Sequence, residues 1–442
     1  MRNLAAKSKP DLPQAAYRAE SDPETEGIKS FIRKLGPGLI TGASDDDPSG
    51  IGTYSQVGAQ FGYGLLWTML LSYPLMAAIQ EICARIGRVT GAGIAANLRK
   101  NYPKPLLYCV LFVVSVANVF NLGADIGAMG SAAQLVMPGR TGLYIVIFGI
   151  GSLAGILLVP YSTYEKYLKW LTVSLFAYVG VVFFAHVHWA AVIRATLLPR
   201  IELTKDYLTA LVAVLGTTIS PYLFFWQASQ EVEDVTKNKG EMPLRSAPSQ
   251  ASKQLSRIRI DTYVGMAFSN IVAFFIILTA AATLHASGIT EISTSAQAAK
   301  ALEPLAGRFA FLLFVCGIVG TGLLAVPVLA ASACYGIGEA CHWKTSLERK
   351  PRHAVRFYAA ITVATLIGLG LNFLHIDPVK ALFWAAILNG VVAAPLMAVI
   401  MVMASNRKVM GPLVIPPYLK VVGWLATAVM LAASVGVFVM WK

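Results

Sequence analysis

The fold of this chain is decided by a short polar break inside an apolar segment, residues 39–54, which read LITGASDDDPSGIGTY. Three consecutive carboxylates, Asp45, Asp46 and Asp47, stand there. Each costs about 2.5–3.5 kcal/mol to insert at the centre of a bilayer. Pro48 removes a backbone donor, and Gly50 weakens the helix beyond it. Broken backbone is tolerated at membrane depth where protein buries it or where it lines a wet cavity. The segment therefore predicts a discontinuous membrane helix with a functional break.

The composition of all 442 residues agrees with a membrane location. Charged residues make up 13% of the chain and hydrophobic residues 56%, and the mean hydropathy is +0.62. A soluble domain has about 25% charged residues, and most of them must cover its surface. The composition therefore disfavours a soluble enzyme, a nucleic-acid binder and a secreted disulfide scaffold. The five cysteines contain no CxxC pair and are interpreted as small hydrophobic residues.

Apolar segments long enough to cross a bilayer predict eleven spans. Nine are continuous, at 65–86, 106–136, 142–160, 168–189, 262–286, 309–336, 355–374, 379–403 and 421–441. Two more, 37–59 and 208–233, are interrupted by polar residues and proline. We expect residues 1–30 to form a disordered cytoplasmic tail, because charges and prolines dominate them. Residues 31–405 should form a ten-span core, and 406–442 should carry the eleventh helix.

The positions of the basic residues predict the orientation of these spans. With the N-terminus in the cytoplasm, most of the 36 Lys and Arg residues fall in inside segments. The exceptions are Arg140, Arg194, Arg200, Lys205, Lys300, Arg308, Lys380 and Lys442. This asymmetry follows the positive-inside rule. It predicts a multi-pass protein of the inner (cytoplasmic) membrane with an extracytoplasmic C-terminus, and it explains the net charge of +13 without nucleic acid.

A second break, in residues 215–227, repeats the design of the first. This segment reads LGTTISPYLFFWQ, with a small polar stretch before Pro221. The breaks fall in spans 1 and 6, at matching positions of two five-span repeats, about 35–190 and 207–403. An odd number of spans inverts the second repeat relative to the first. Secondary transporters built on inverted repeats bind their substrate where two such broken helices meet.

The polar groups at the two breaks are oxygen donors. They are the carboxylates of Asp45, Asp46 and Asp47, the hydroxyls of Ser44, Ser49, Thr217, Thr218 and Ser220, and the freed carbonyls. Neither break contains Met, Cys or His. Oxygen ligands suit Mg²⁺, Ca²⁺ and Mn²⁺, and Mg²⁺ usually keeps several waters beside one or two carboxylates. The pattern fits a largely hydrated Mg²⁺ better than a stripped Fe²⁺.

Three stretches resemble the Nramp divalent-metal transporters: GPGLITG at 36–42, DPSG at 47–50 and QEICARIGRVTG at 80–91. The resemblance runs from about residue 30 to 405. It implies an all-α polytopic membrane protein with the fold of the bacterial leucine transporter. That fold is a 5+5 inverted repeat with broken helices 1 and 6, here followed by an eleventh helix, and it works by alternating access.

The chain departs from the family at both breaks. The family reads Asp-Pro-Gly-Asn on the first helix and Ala-x-x-Met-Pro-His on the sixth. Asp47 matches, but Gly50 stands at the Asn position. Thr217, Ser220 and Tyr222 stand at the Ala, Met and His positions. Losing the Met removes the thioether thought to favour transition metals.

Two further differences concern proton movement. Gln227 stands at a second family His, and Asn121 and Ala124 stand at the acidic pair of the third span, with Asp125 adjacent. The chain therefore resembles the Nramp-related magnesium transporter branch, in which transport is thought to proceed without protons.

We expect a metal site in which Asp47 anchors the ion, Thr217 and Ser220 bound the pocket, and Gly50 leaves room for hydration water. Secondary candidates are Asp45, Asp46, Tyr222, Asp125, Gln227 and Asn389. Asp125 either serves the cation or proton path or bonds between helices, and Asn389 is expected to make an interhelical hydrogen bond.

The expected function is import of Mg²⁺ and Mn²⁺ without proton coupling. The expected partners are divalent cations and lipid, with no resident cofactor, no obligate protein partner and no nucleic acid. One alternative is a proton-coupled Mn²⁺/Fe²⁺ carrier. Another, an aspartyl intramembrane protease, is disfavoured because the chain lacks the Gly-x-Gly-Asp motif.

We predict an ion pair between Glu81 and Arg85. The acidic run at 231–234 either attracts cations or is solvated.

Overall fold

The computed structural model describes residues 41–42, 44–161, 163–164, 171–238, 240–374 and 376–440, and in these residues it is helical without any β-strand. The predicted all-α class is confirmed. The predicted tail, residues 1–30, lies outside the described residues.

Seventeen α-helices form the described part. In chain order they are α1 Pro48–Phe61, α2 Trp67–Thr90, α3 Ile94–Asn101, α4 Lys104–Ala133, α5 Thr141–Leu158, α6 Phe176–Val181, α7 Trp189–Leu197, α8 Lys205–Thr218, α9 Pro221–Lys237, α10 Ala251–Thr283, α11 Ser295–Ala299, α12 Glu303–Ala306, α13 Ala310–Ala340, α14 Val355–Leu371, α15 Pro378–Ser405, α16 Arg407–Met410 and α17 Pro417–Met440. Short 3₁₀ helices lie at Gly62–Leu65, Leu171–Leu175, Pro248–Gln250, His285–Ser287, Lys300–Leu302, Gly307–Phe309 and Pro351–His353.

Most of the predicted spans correspond to long apolar helices. Seven helical segments of the described chain are long and apolar enough to cross a membrane. One of them is the predicted sixth span, in which α8 and α9 are counted together. The helices Pro48–Leu65 and Trp67–Thr90 pass the same test as a pair bent by 108°. α14 is apolar but shorter, at 17 residues. The protein is therefore a multi-pass membrane protein, while the count of eleven stays a prediction.

The predicted span 168–189 differs from the structure. Part of it lies outside the described residues, and the rest forms a 3₁₀ turn at Leu171–Leu175 followed by the six-residue α6. The reason lies in the sequence around Gly180, where glycine is surrounded by β-branched valines. Both residue types have low helix propensity, so apolar composition alone overestimated the length of this helix.

Both predicted helix breaks are confirmed. Residues 44–45 are helical, Asp46 and Asp47 are not, and α1 begins at Pro48. In the second break, α8 ends at Thr218 and α9 begins at Pro221. Proline fits the first position of a helix, where its missing N–H has no intrahelical partner to lose. Each proline therefore starts the second half of a broken helix.

Glycines bring the broken helices close to their neighbours. Gly58 of α1 lies against the carbonyl of Ile277 in α10, and a Cβ there would overlap that carbonyl. Gly216 of α8 lies equally close to the Ala386 carbonyl and to Gly390 in α15. Small residues permit such close packing between membrane helices. The backbone of each break is thus held by a neighbouring helix.

We predict that Gly216→Ala destabilises the protein. The added methyl group overlaps the backbone of α15, and overpacking of this kind costs about 1–3 kcal/mol. The apparent Tm of the detergent-solubilised protein should fall. Gly370→Ala is the matched control, because a Cβ at Gly370 meets no atom within 4 Å. Equal Tm values for the two variants would contradict the packing described.

Candidate metal site

The two helix breaks meet in the interior of the protein. The Tyr222 hydroxyl, in the first turn of α9, donates to the Ser44 carbonyl at 2.9 Å. The same hydroxyl oxygen lies 3.4 Å from Asp47 Oδ2. A Cβ placed on Gly50 would lie 3.3 Å from Thr217 Oγ1. Asp47, Gly50, Thr217 and Tyr222, all identified from the sequence, therefore lie together.

Asp47 is held by groups from two helices. Its Oδ1 accepts the backbone N–H of Gly50 at 2.7 Å and so caps α1. Its Oδ2 accepts the Asn121 side-chain amide of α4 at 3.1 Å. The carboxylate is 2% exposed. An ionised carboxylate offers about four lone-pair positions, so these contacts orient the group and leave acceptor positions for a cation.

Gly50 allows close packing beside Asp47. A Cβ there would lie 3.3 Å from Thr217 Oγ1, 3.4 Å from the Tyr54 ring and 3.5 Å from the Asp45 carbonyl. The first distance is shorter than most Cβ contacts, so a side chain at this position would have to displace Thr217. The absence of a side chain at Gly50 therefore lets a hydroxyl and a carbonyl approach the first break.

Ser220 lies at the second break, and its hydroxyl hydrogen is used in a hydrogen bond within the protein. Its Oγ donates to the Thr217 carbonyl at 2.7 Å and lies 3.2 Å from the Gly216 carbonyl. These carbonyls end α8 and have no intrahelical partner of their own. What Ser220 can offer a cation is therefore the lone pairs of its oxygen.

Asp125 lies next to this group on α4. It interacts electrostatically with Asp47 and lies close to the backbone amide of Ser49. Among the described residues, no side chain donates a hydrogen bond to it. Asn121, one turn earlier, was not identified as a site residue from the sequence. Its i, i+4 spacing with Asp125, which places both on one face of α4, was the available signal.

Gln227 and Asn389 have different surroundings. The Gln227 carbonyl oxygen accepts a hydrogen bond from Thr41, which ties α9 to the first half of span 1. Asn389 of α15 is 1% exposed, and neither polar atom of its amide finds a hydrogen-bond partner in the described chain. The expected interhelical hydrogen bond at Asn389 is therefore not formed with any of the described residues. The contact between α15 and α8 is made instead by the close packing of Gly390 against α8.

Asp45 and Asp46 lie against α10. Ser269 Oγ is 2.7 Å from Asp45 Oδ2 and 3.1 Å from Asp46 Oδ1. Both carboxylates are 1% exposed. Ser269 was not identified from the sequence, because nothing local marks one serine of a long helix as a partner of the break.

Comparison with known proteins identifies the family. The sequence model of the Natural resistance-associated macrophage protein-like (Nramp) family matches residues 38–440. The chain belongs to the Nramp family. It is accordingly a membrane transporter of divalent metal ions and not an enzyme.

Solved structures confirm the fold of this Nramp protein. The manganese transporter of Eremococcus coleocola, in complex with an aromatic bis-isothiourea compound, matches with a TM-score of 0.73 and 15% identity over 93% of this chain and 88% of that one. A variant of that transporter matches with a TM-score of 0.71 and 18% identity over 96% and 90%. A nucleobase-cation-symport-1 family transporter in a closed conformation matches at 0.55, with 15% identity over 91% and 92%. The predicted leucine-transporter-type fold is confirmed.

The acidic run that ends α9 is bound by arginines in this Nramp protein. Glu231 lies 2.6 Å from Arg257, and Asp234 lies 3.1 Å from Arg88. Glu231 and Arg88 are fully buried. The run is therefore neither a solvated face nor an open cation attractor. The predicted pair of Glu81 and Arg85 is confirmed at 2.7 Å.

A vestibule of about 430 Å³ leads toward the breaks from the C-terminal end of α1, the side predicted to be extracytoplasmic. Polar side chains on its wall include Gln56, Gln60 and Asp206. Gly52, two residues beyond Gly50, also lines it. The vestibule therefore reaches α1 as far as Gly52, while Asp47 and Thr217 are buried and do not line it.

Proposed function

We propose that this Nramp protein imports largely hydrated Mg²⁺, and also Mn²⁺, across the inner membrane by alternating access without proton coupling. The observation that carries the proposal is the meeting of the Asp47 carboxylate with the neutral oxygens of Thr217 and Tyr222 where the two breaks join. Gly50 and Ser220 stand at the family's Asn and Met positions. The distribution of basic residues supports an N-terminus in the cytoplasm for this direction of transport.

The chemistry of the site supports a hard cation. Asp47 supplies one carboxylate, and Thr217 and Ser220 supply neutral oxygens. The Asn121 amide orients the carboxylate from the other side. Thioether and imidazole ligands, which favour late transition metals, are absent from both breaks in the sequence. One carboxylate, neutral oxygens and retained waters are the usual environment of Mg²⁺ in proteins.

The membrane potential supplies the driving force in this proposal. A potential near 100 mV, negative inside, contributes about 4.6 kcal/mol to the entry of a divalent ion, at about 2.3 kcal/mol per charge. Uptake against a moderate gradient therefore needs no second ion. The neutral Asn121 occupies one position of the family's acidic pair, which agrees with transport without protons.

One observation favours the alternative of a proton-coupled Mn²⁺/Fe²⁺ carrier. Asp125 lies close enough to Asp47 to interact electrostatically with it. A cation arriving at Asp47 would favour loss of a proton from Asp125. The two mechanisms differ in whether protons accompany the metal.

We expect Asp47→Ala to abolish Mg²⁺ uptake into proteoliposomes, measured with an enclosed Mg²⁺-sensitive dye. Asp377→Ala is the matched control, because Asp377 also caps a helix that begins with proline, and its Oδ1 accepts the backbone N–H groups of Val379 and Lys380 at 2.9 and 3.1 Å. Loss of a cap alone costs about 1 kcal/mol in either case. Wild-type flux in Asp47→Ala would show that the assigned site is wrong.

Mg²⁺ and Mn²⁺ uptake should leave the lumenal pH unchanged. The measurement is a pH-sensitive dye inside proteoliposomes under a potassium-diffusion potential, with a protonophore as the positive control. Acidification that depends on metal would establish the proton-coupled alternative. Asp125→Asn would then be expected to remove the proton signal.

Ser220→Met should change the selectivity of the site. The longer side chain displaces water and adds a thioether, so we expect roughly tenfold weaker Mg²⁺ uptake, equal to about 1.4 kcal/mol, together with new uptake of Cd²⁺. Ser220→Leu has nearly the same size without sulfur, and it should weaken Mg²⁺ uptake without admitting Cd²⁺. Equal Cd²⁺ uptake by the two variants would show that the softness of the ligand does not set the selectivity of this site.

A further inference from the structure

We propose that Asp45, Asp46 and Ser269 form a second divalent-cation position, separate from the one at Asp47. The proposal rests on the proposed function, because the same transported ion would occupy it. It also adds to that function, since a single anchoring carboxylate at Asp47 leaves these two acids without a role.

The hydrogen bonds at this pair are incomplete. Ser269 approaches one oxygen of each carboxylate, at 2.7 and 3.1 Å. A serine hydroxyl carries a single hydrogen, so both carboxylates share one donor. The other oxygens, Asp45 Oδ1 and Asp46 Oδ2, have no hydrogen-bond partner in the described chain. Buried acceptors are rarely left in this state, and each such case calls for an explanation, such as a bound ion.

The pair also has no cationic partner among the described residues. None of the ion pairs formed by the described residues includes Asp45 or Asp46. Both side chains are 1% exposed, so water does not screen them. Buried charges are normally paired or coordinate metals. A divalent cation would neutralise the two carboxylates at once.

An independent feature points to the same place. The Tyr54 hydroxyl of α1 is fully buried, and its hydrogen-bonding neighbour among the described residues is Thr218. Tyr54 interacts electrostatically with both Asp45 and Asp46. Its oxygen is a further neutral group for the ion or for a water bound to it. Two carboxylates, a hydroxyl and waters match the oxygen ligands that Mg²⁺ and Mn²⁺ accept.

The position of this site gives it a role in release. Asp45 and Asp46 precede Asp47 on the first break, so an ion held by them lies next to an ion held by Asp47. Two adjacent cations repel each other. An ion must also be able to leave a site that binds it strongly. Occupation of an adjacent site promotes its release.

The test is the number of Mn²⁺ ions bound by the full-length protein in detergent, counted by electron paramagnetic resonance of the free ion. We expect two for the wild-type protein, one for the double variant Asp45→Asn with Asp46→Asn, and one for Asp47→Asn. Asp377→Asn, which removes a carboxylate outside the site, should still bind two. Size-exclusion chromatography checks that each variant is folded.

The outcomes separate this inference from the proposed function. One ion in the wild-type protein, or two in the double variant, would overturn the second position while leaving the role of Asp47 intact. Undiminished binding by Asp47→Asn would overturn the proposed site instead. If the double variant fails to fold, Ser269→Ala decides. It should weaken one of the two binding events roughly tenfold by removing a bond to a charged group, and unchanged binding would count against the proposal.

Discussion

The joining of the two helix breaks is the constraint on which the rest of the structure depends. Each break leaves backbone groups without intrahelical partners, at a depth where water is scarce. Asp47 satisfies the Gly50 amide, Ser220 the Thr217 carbonyl and Tyr222 the Ser44 carbonyl. The side chains that make the breaks tolerable are thus among those that the sequence identified as candidate site residues. In the proposed site, helix capping and cation binding would use the same oxygens, and the cation would take the lone pairs that capping leaves over.

Helix packing fixes these contacts in place. Gly58 and Gly216 let the backbones of α10 and α15 approach the broken helices directly. Farther along α9, Arg88 and Arg257 bind the acids at its end. Breaking such a buried pair leaves an uncompensated charge and is strongly destabilising. The half-helix that carries Tyr222 is therefore anchored at both ends, which keeps its hydroxyl at the first break.

The sequence predicted the breaks because their causes are local. Carboxylates, proline and glycine interrupt an apolar helix wherever it packs, so both breaks were located to within a residue or two. Partners supplied by other helices were missed for the opposite reason. Ser269 carries no local signal, and Asn121 was marked only by its spacing from Asp125. The arginines that bind the acidic run at 231–234 are distant from it in sequence. The short α6 was missed because apolar composition was given more weight than helix propensity.

The departures from the family pattern at Gly50 and Ser220 make physical sense only together. A cation stripped of water needs a direct ligand at each position of its shell, and deleting one ligand leaves that shell incomplete. Replacing two of these ligands with a glycine and a small serine removes side-chain donors without adding bulk, so that waters could complete the shell when an ion enters. Mg²⁺ holds its waters strongly, so such a site would favour it over an ion that binds thioether or amide directly. Selectivity would then reside in the small size of Gly50 and Ser220, and the neighbouring oxygens would recognise the hydration shell and not the bare ion.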